Sequence, residues 1–419
     1  ITTIQNRGYI LRESRDGVDR ELDQIDLKGQ NIKINSDRSI VISRGQCNIV
    51  EEVHSAALID QIKYVPLETH EKCLLKDIQK IKYQDSTLFI YDGRAIYAFS
   101  NEGRFIAQIG ERGRSGNEYN TISAFFLNRY RKSIILIDGY TRKALEYDYS
   151  GNFKSKTPID PIYNYMADIE MADSTSLLCN FFITNPSLED NTAFQYGLAD
   201  AVGYQVKNLF LQSNLSMNTG LLTFSNHPIT RCSHNLSFIQ SVSNKIYQIE
   251  GEQITEMYSI EMIDPLPDER FLQQNNHKNY FELLQTLFDS GYSSGVTNLF
   301  ETPQYLLVTF GKTKDSPSIQ DYTLIWDKQK KRGTYYYRYF DDNLLTLSTC
   351  LNLNSPSTCY SENTFITAIS PLTFGTNMHV ILEKSNDTTV RRIAQTIKED
   401  DNPVISFFTL KKEIVDNTD

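Results

Sequence analysis

From about residue 58 onward the chain is written in short apolar runs closed by turn residues. Ile62-Lys63-Tyr64-Val65 alternates and stops at Pro66. Leu88-Phe89-Ile90-Tyr91 stops at Asp92-Gly93, and Ile134-Ile135-Leu136-Ile137 stops at Asp138-Gly139. Runs of this length, rich in β-branched and aromatic residues and interrupted about every 8–12 residues, predict antiparallel strands. The first 45 residues read differently. Charges of both signs crowd together (Arg12, Glu13, Arg15, Asp16, Asp19, Arg20, Glu21, Asp23) with few apolar residues between them. Such a stretch buries little and predicts an extended or loosely docked arm over 1–45. Within it, Ile32-Lys33-Ile34 and Ser39-Ile40-Val41-Ile42 are β-like runs able to dock on the body.

A turn recurs along the body. Ala98-Phe99-Ser100-Asn101-Glu102-Gly103-Arg104-Phe105 aligns with Glu146-Tyr147-Asp148-Tyr149-Ser150-Gly151-Asn152-Phe153. In each, an apolar strand end meets a polar turn, a glycine free to take positive φ, and an aromatic that starts the next strand. Further copies fall at Asp200-Ala201-Val202-Gly203, Ile249-Glu250-Gly251 and Ile325-Trp326-Asp327-Lys328. A period of about 50 residues with four short strands per unit predicts the blades of a β-propeller. The larger gap before the last copy has a visible cause. Between Leu266 and Gly291, Asp268 is placed as an N-cap. Tyr280, Phe281, Leu284, Leu287 and Phe288 follow at helical spacing, and Gly291 supplies a stop. This predicts one inserted amphipathic helix over about 266–291, packed on the propeller.

Five turn copies give five blades between about residues 70 and 340. The remaining strands, around Leu344–Cys350, Phe365–Ile369 and Val404–Leu410, number three, and Ile59–Leu67 supplies the fourth. The expected fold is therefore an all-β, six-bladed propeller of four-stranded blades over 58–412. It is closed by an N-terminal strand and followed by a short tail over 413–419.

Composition narrows the function classes. The 25 Tyr, 22 Phe and single Trp exclude a disordered chain. A net charge of −10, with no local Lys/Arg cluster, gives no electrostatic footprint for nucleic acid. The longest uncharged stretch, Asn208–Thr230, is broken by Gln, Ser, Asn and His and predicts no transmembrane segment. Six scattered cysteines without a C-x-x-C pair form neither a disulfide framework nor a structural zinc site.

Four stretches carry a resemblance. Ile62-Lys63-Tyr64-Val65-Pro66-Leu67-Glu68-Thr69 looks like an opening strand. Ile109-Gly110-Glu111-Arg112-Gly113-Arg114-Ser115-Gly116-Asn117-Glu118-Tyr119 is similar to a glycine-rich loop. Phe340-Asp341-Asp342-Asn343 and Asp400-Asp401-Asn402-Pro403-Val404 resemble later markers. In all four the chain resembles the six-bladed β-propellers of Bacteroidetes, related to NHL-repeat propellers and largely of unknown function. The resemblance implies an exported chain, periplasmic or at the cell surface, of a kind often lipidated and often found beside glycan-uptake systems. It transfers no catalytic residues.

The candidate chemistry is sparse. In the loop Gly110–Tyr119, three glycines suggest positive-φ positions. Arg112 and Arg114 could offer bidentate donors to an anion or sugar, with Glu118 and Tyr119 beside them as ligand-binding residues. The alternative is structural: Glu118 caps backbone donors and Tyr119 packs between blades. His227, Cys232 and His234 lie close in sequence but make no complete ligand set, so no metal is expected there. Asp341-Asp342 and Asp400-Asp401 read as turn residues rather than acid dyads. Cys350 and Cys359 would face each other if a turn centred on Asn354-Ser355, which leaves a disulfide or two free thiols open. Two functions follow. One is a non-enzymatic binding or scaffold propeller of the cell envelope, without cofactor, that holds a glycan, peptide or envelope protein. The other is a channel-centred hydrolase or lyase using an axial Ca or Zn ion, with ligands drawn from several inner strands.

Overall fold

A computed structural model describes residues 32–181, 194–212, 227–232, 235–275, 277–316, 321–340, 357–361 and 364–414. Four strands come first: β1 (Ile34–Asn35), β2 (Ile40–Ile42), β3 (Cys47–His54) and β4 (Ile59–Pro66). Blade 1 follows as β5 (Lys80–Gln84), β6 (Thr87–Tyr91), β7 (Ile96–Ser100) and β8 (Phe105–Ile109). Blade 2 is β9 (Ala124–Asn128), β10 (Ser133–Asp138), β11 (Lys143–Asp148) and β12 (Phe153–Pro158). Blade 3 is β13 (Met166–Met171), β14 (Ser176–Phe181), β15 (Phe194–Asp200) and β16 (Val206–Gln212). Blade 4 is β17 (Ile229–Cys232), β18 (Asn235–Ile239), β19 (Lys245–Glu250) and β20 (Gln253–Ile260). Blade 5 is β21 (Val296–Glu301), β22 (Tyr305–Phe310), β23 (Tyr322–Asp327) and β24 (Arg332–Phe340). Blade 6 is β25 (Ser357–Ser361), β26 (Thr364–Ile369) and β27 (Val404–Leu410), completed on its outer edge by β4.

The apolar runs are continuous rather than alternating because each blade is covered on both faces. In β10, Ile134 and Leu136 pack toward blade 1, while Ile135 and Ile137 pack toward blade 3. Residues of opposite parity thus serve two interfaces. One apolar cluster fills each of the six blade-to-blade interfaces around the ring.

All five recurring turns join the third strand of a blade to its fourth, as the period implies. Two of their glycines also touch the preceding blade. Gly103 has φ +84°, and a Cβ there would sit 2.2 Å from the Pro66 carbonyl at the end of β4. Gly151, also at φ +84°, would meet the Gln108 carbonyl of β8 at 2.8 Å. A side chain would therefore be strained by its backbone and driven into a neighbouring strand.

The charged run Arg12–Asp23 lies outside the described residues, while the β-like runs near 32–34 and 39–42 dock. β1 and β2 add in parallel to β20, and β3 adds in parallel to β24, with Cys47 opposite Gly333. β1 to β3 thus cover the outer edges of blades 4 and 5 before β4 supplies the last strand of blade 6.

Three expectations are corrected. The insertion over 266–291 is two helices, α1 (Glu269–Gln274) and α2 (Tyr280–Asp289). Asp268 caps α1 through Phe271 N–H at 2.8 Å, but Asn275 ends that helix. Asn279 then opens α2 with a capping box to Glu282. The buried face is also rotated from the expected one. Leu272, Leu283 and Leu287 pack on Val242, whereas Phe281 is 63% exposed. Second, a further helix pair, α3 (Pro371–Lys384) and α4 (Thr388–Thr396), sits between β26 and β27. Phe374, Ile381, Val390 and Ile393 pack there against Tyr64 and Val404. Third, the inner strand of blade 6 is Ser357–Ser361. Residues 344–350, including Cys350, and the Asp341-Asp342 pair lie outside the described residues, so the Cys350–Cys359 pairing does too.

Candidate functional site

The innermost strands β5, β9, β13, β17, β21 and β25 ring the axis, and side chains two residues apart on one strand share a face. Lys80 and Lys82 use this spacing on β5, and Asp168 and Glu170 use it on β13. The lysine Nζ of Lys80 pairs with Asp168 Oδ1, and that of Lys82 with Glu170 Oε1. Lys82 also donates to the Ile169 carbonyl at 3.2 Å and lies 5.5 Å from the ring centroid of Phe125 on β9. Blade 1 is thereby tied to blade 3 past the inner strand of blade 2. Burial alone would raise the Asp168 carboxyl, but the charges of Lys80 and Lys82 outweigh it and hold the group below the usual aspartate value.

Arg231 on β17 completes the set. Its guanidinium donates to the Met171 carbonyl at the end of β13. Desolvation lowers its pKa to about 10, against the attraction of Glu170 and with the repulsion of Arg129. His227 is buried just before β17, with its ring 5.3 Å from that of Phe300. These residues, with Ile81, Ile229 and Thr230, line a cavity of about 60 Å³ on the axis. About 10–15 Å³ admits one water, so this space holds several. Among the described residues, no group of three or more His, Cys, Asp or Glu gathers as a metal centre would. His234 lies outside them.

The glycine loop is knit to blade 2. Gly110 has φ +67°, while Gly113 and Gly116 do not take positive φ. Glu118 Oε2 accepts from Ser115 N–H at 2.8 Å and fills the space beside Gly113, where a Cβ would lie 1.9 Å from it. Tyr147 Oη donates to the Asn117 carbonyl at 2.8 Å, and Lys143 Nζ donates to the Glu118 carbonyl at 2.5 Å. Tyr119 is 1% exposed. Its ring sits among Phe89, Ile96, Phe125 and Leu145 between blades 1 and 2, and it offers no stacking surface to solvent. Arg112 and Arg114 are exposed, and Glu118 is half-buried.

The two ends of the channel are built differently. Where inner strands turn into second strands, the described hairpins are short: 85–86, 129–132, 172–175 and 302–304. The opposite end carries the connections between blades and between second and third strands. Among the described residues, 67–79, 110–123, 261–275, 277–295 and 370–403 lie there, with α1 to α4 among them. Loops that a rigid scaffold presents in this way are where binding residues concentrate.

The family described as a domain of unknown function, DUF4934, matches residues 39–409. The chain belongs to the DUF4934 family. No curated protein matches it by sequence. The fold of this DUF4934 chain is similar to that of a candidate exported protein from Bacteroides fragilis. The two are 20% identical with a TM-score of 0.70, over 89% of this chain and 100% of that one. A member of the DUF4221 family from Bacteroides vulgatus is 8% identical with a TM-score of 0.49, over 84% of this chain and 97% of that one. Among the described residues of the DUF4934 chain, no helix is long and apolar enough to cross a membrane.

The sequence missed the channel. K-x-K at 80–82 and D-x-E at 168–170 were visible as period-two charge in apolar surroundings, a spacing that places both charges on one strand face. Nothing local says that these two strands meet.

Proposed function

We propose that this chain is an exported, non-enzymatic binding propeller of the cell envelope, of the Bacteroidetes kind it resembles in sequence. Its ligand is a glycan, a peptide or another envelope protein, taken on the end of the ring that carries the long connections. The observation behind this reading is the contrast, among the described residues, between the two ends: hairpins of a few residues on one, the long connections and helical insertions on the other. The likeness to a candidate exported protein from Bacteroides fragilis supports the compartment. On the loop-bearing end, the 110–123 connection presents Arg112 and Arg114 to solvent on a backbone fixed by Glu118 and Tyr147. Rigid placement of bidentate donors favours carboxylates and sugar hydroxyls.

The experiment is a thermal-shift screen of glycans and peptides on the native chain and on Arg112→Ala/Arg114→Ala. A ligand that stabilises the native chain and fails on the double variant supports the reading. Equal binding to both removes the arginines from the site. Metal analysis of the purified protein separates this reading from a channel enzyme, since stoichiometric Ca or Zn would overturn it.

A further inference from the structure

At the end of the channel where β9, β13 and β17 terminate, cations outnumber carboxylates. Glu170 pairs with Lys82, and it is also the acid that attracts Arg231. The second carboxylate of the cavity, Asp168, is engaged by Lys80 and by the Ile169 N–H at 2.8 Å. Arg129 adds a third cation near Arg231, its guanidinium 5.7 Å from the ring centroid of Tyr130. Two carboxylates, Asp168 and Glu170, thus stand against four cations, Lys80, Lys82, Arg129 and Arg231. Arg231 makes its hydrogen bond to a neutral carbonyl, that of Met171, although a guanidinium carries five donors. Withdrawing like charges from water beside one another is costly unless an anion balances them. The cavity lined by Lys82, Glu170, Thr230 and Arg231 has room for such a group.

We propose that the axial cavity is a binding site for a small oxyanion, a carboxylate or phosphate group, held by Lys82 and Arg231 with Arg129 behind them. Arg231 supplies the planar fork, Lys82 a point charge anchored by Glu170, and Thr230 lies alongside. This site is independent of the loop-bearing surface, and either can fail without the other.

The probes are sodium phosphate and sodium acetate, titrated calorimetrically into the native chain, with sodium chloride at matched ionic strength as the reference. Saturable binding of one or both, absent with chloride, is expected. Arg231→Gln should weaken it about ten- to a hundredfold, the scale of a lost charged hydrogen bond. Arg129→Ala, on a half-exposed side chain that leaves the fold intact, should weaken it less, and Glu170→Gln should strengthen it. These two variants carry the test if Arg231→Gln does not fold. Phosphate without acetate binding assigns the site to phosphate-type groups, and the reverse assigns it to carboxylates. Heats no different from chloride, or an affinity unchanged in Arg129→Ala and Glu170→Gln, would overturn the proposal.

Discussion

The side chain of Asn402 holds the backbone of Glu68: its Nδ2 donates to the Glu68 carbonyl at 2.7 Å and to the Cys73 carbonyl at 2.8 Å. Its Oδ1 accepts from Leu75 N–H at 2.8 Å, and its own N–H donates to Thr69 Oγ1. Asn402 is 1% exposed, so these groups have no water to fall back on. One amide thus fastens the start of β27 to the connection that leaves blade 6 for blade 1. Asn402→Ala should cost about 2–4 kcal/mol, from hydrogen bonds worth roughly 1 kcal/mol each plus stranded buried partners. Denaturant unfolding reads it, and a loss under about 0.5 kcal/mol would show that the latch carries no strain of closure.

The turn glycines should form a graded series. Gly103→Ala meets both a positive φ and the Pro66 carbonyl at 2.2 Å, and should destabilise most. Gly251→Ala, at φ +59° with nothing within 4 Å, should cost only the left-handed conformation, about 1–2 kcal/mol. Gly116→Ala meets only Lys156 Nζ at 3.4 Å without positive φ, and should be near neutral. Melting temperatures in any other order would mean that blade contact does not select these glycines.

In the 110–123 connection, stability and surface chemistry should separate. Tyr119→Ala removes a ring filling the interface of blades 1 and 2 and should cost about 3–5 kcal/mol. Arg112→Ala and Arg114→Ala, both on exposed side chains, should stay within about 0.5 kcal/mol of the native chain. Chemical denaturation of the three variants tests the division.

Acid should weaken the axis. Because the fold holds the Asp168 carboxyl below its ordinary value, the stabilisation is complete above the unfolded value of about 3.9. It is lost as the pH falls through the depressed folded value. Lys80→Met leaves Asp168 buried without its partner, which should cost about 3–5 kcal/mol at neutral pH and raise the acid-unfolding midpoint. Near-ultraviolet circular dichroism against pH reads both effects. An unmoved midpoint would remove the pair from the stability of the ring.

What could be read from the sequence follows how local its cause is. The turn at Asp148–Gly151 writes its geometry in adjacent residues, and strand counting then places Ile59–Leu67 in blade 6, where β4 is found. The α3–α4 pair escaped because Gly375 interrupts α3 and its buried positions, Phe374 and Ile381, are far apart. β3 escaped because Glu51 and Glu52 interrupt its apolar residues and its partner β24 lies far along the chain. The Lys80–Asp168 pair needs two inner strands from different blades, which no window of neighbouring residues contains.

The N-terminal arm has a consequence for how the protein comes into being. β4 is synthesised before every blade, yet the strand it pairs with is β27, and 333 residues separate Thr69 from the Asn402 it meets. While the chain grows from its N-terminus, blade 6 cannot exist, and the segments that will cover blades 4 and 5 must wait unpaired for β20 and β24. Closing so long a loop is entropically late, and contacts this distant in sequence slow folding. The ring is therefore a structure completed only once β27 has been made. Until then β1 to β4 are exposed edges, the form in which a chain is most readily captured by a chaperone or lost to aggregation.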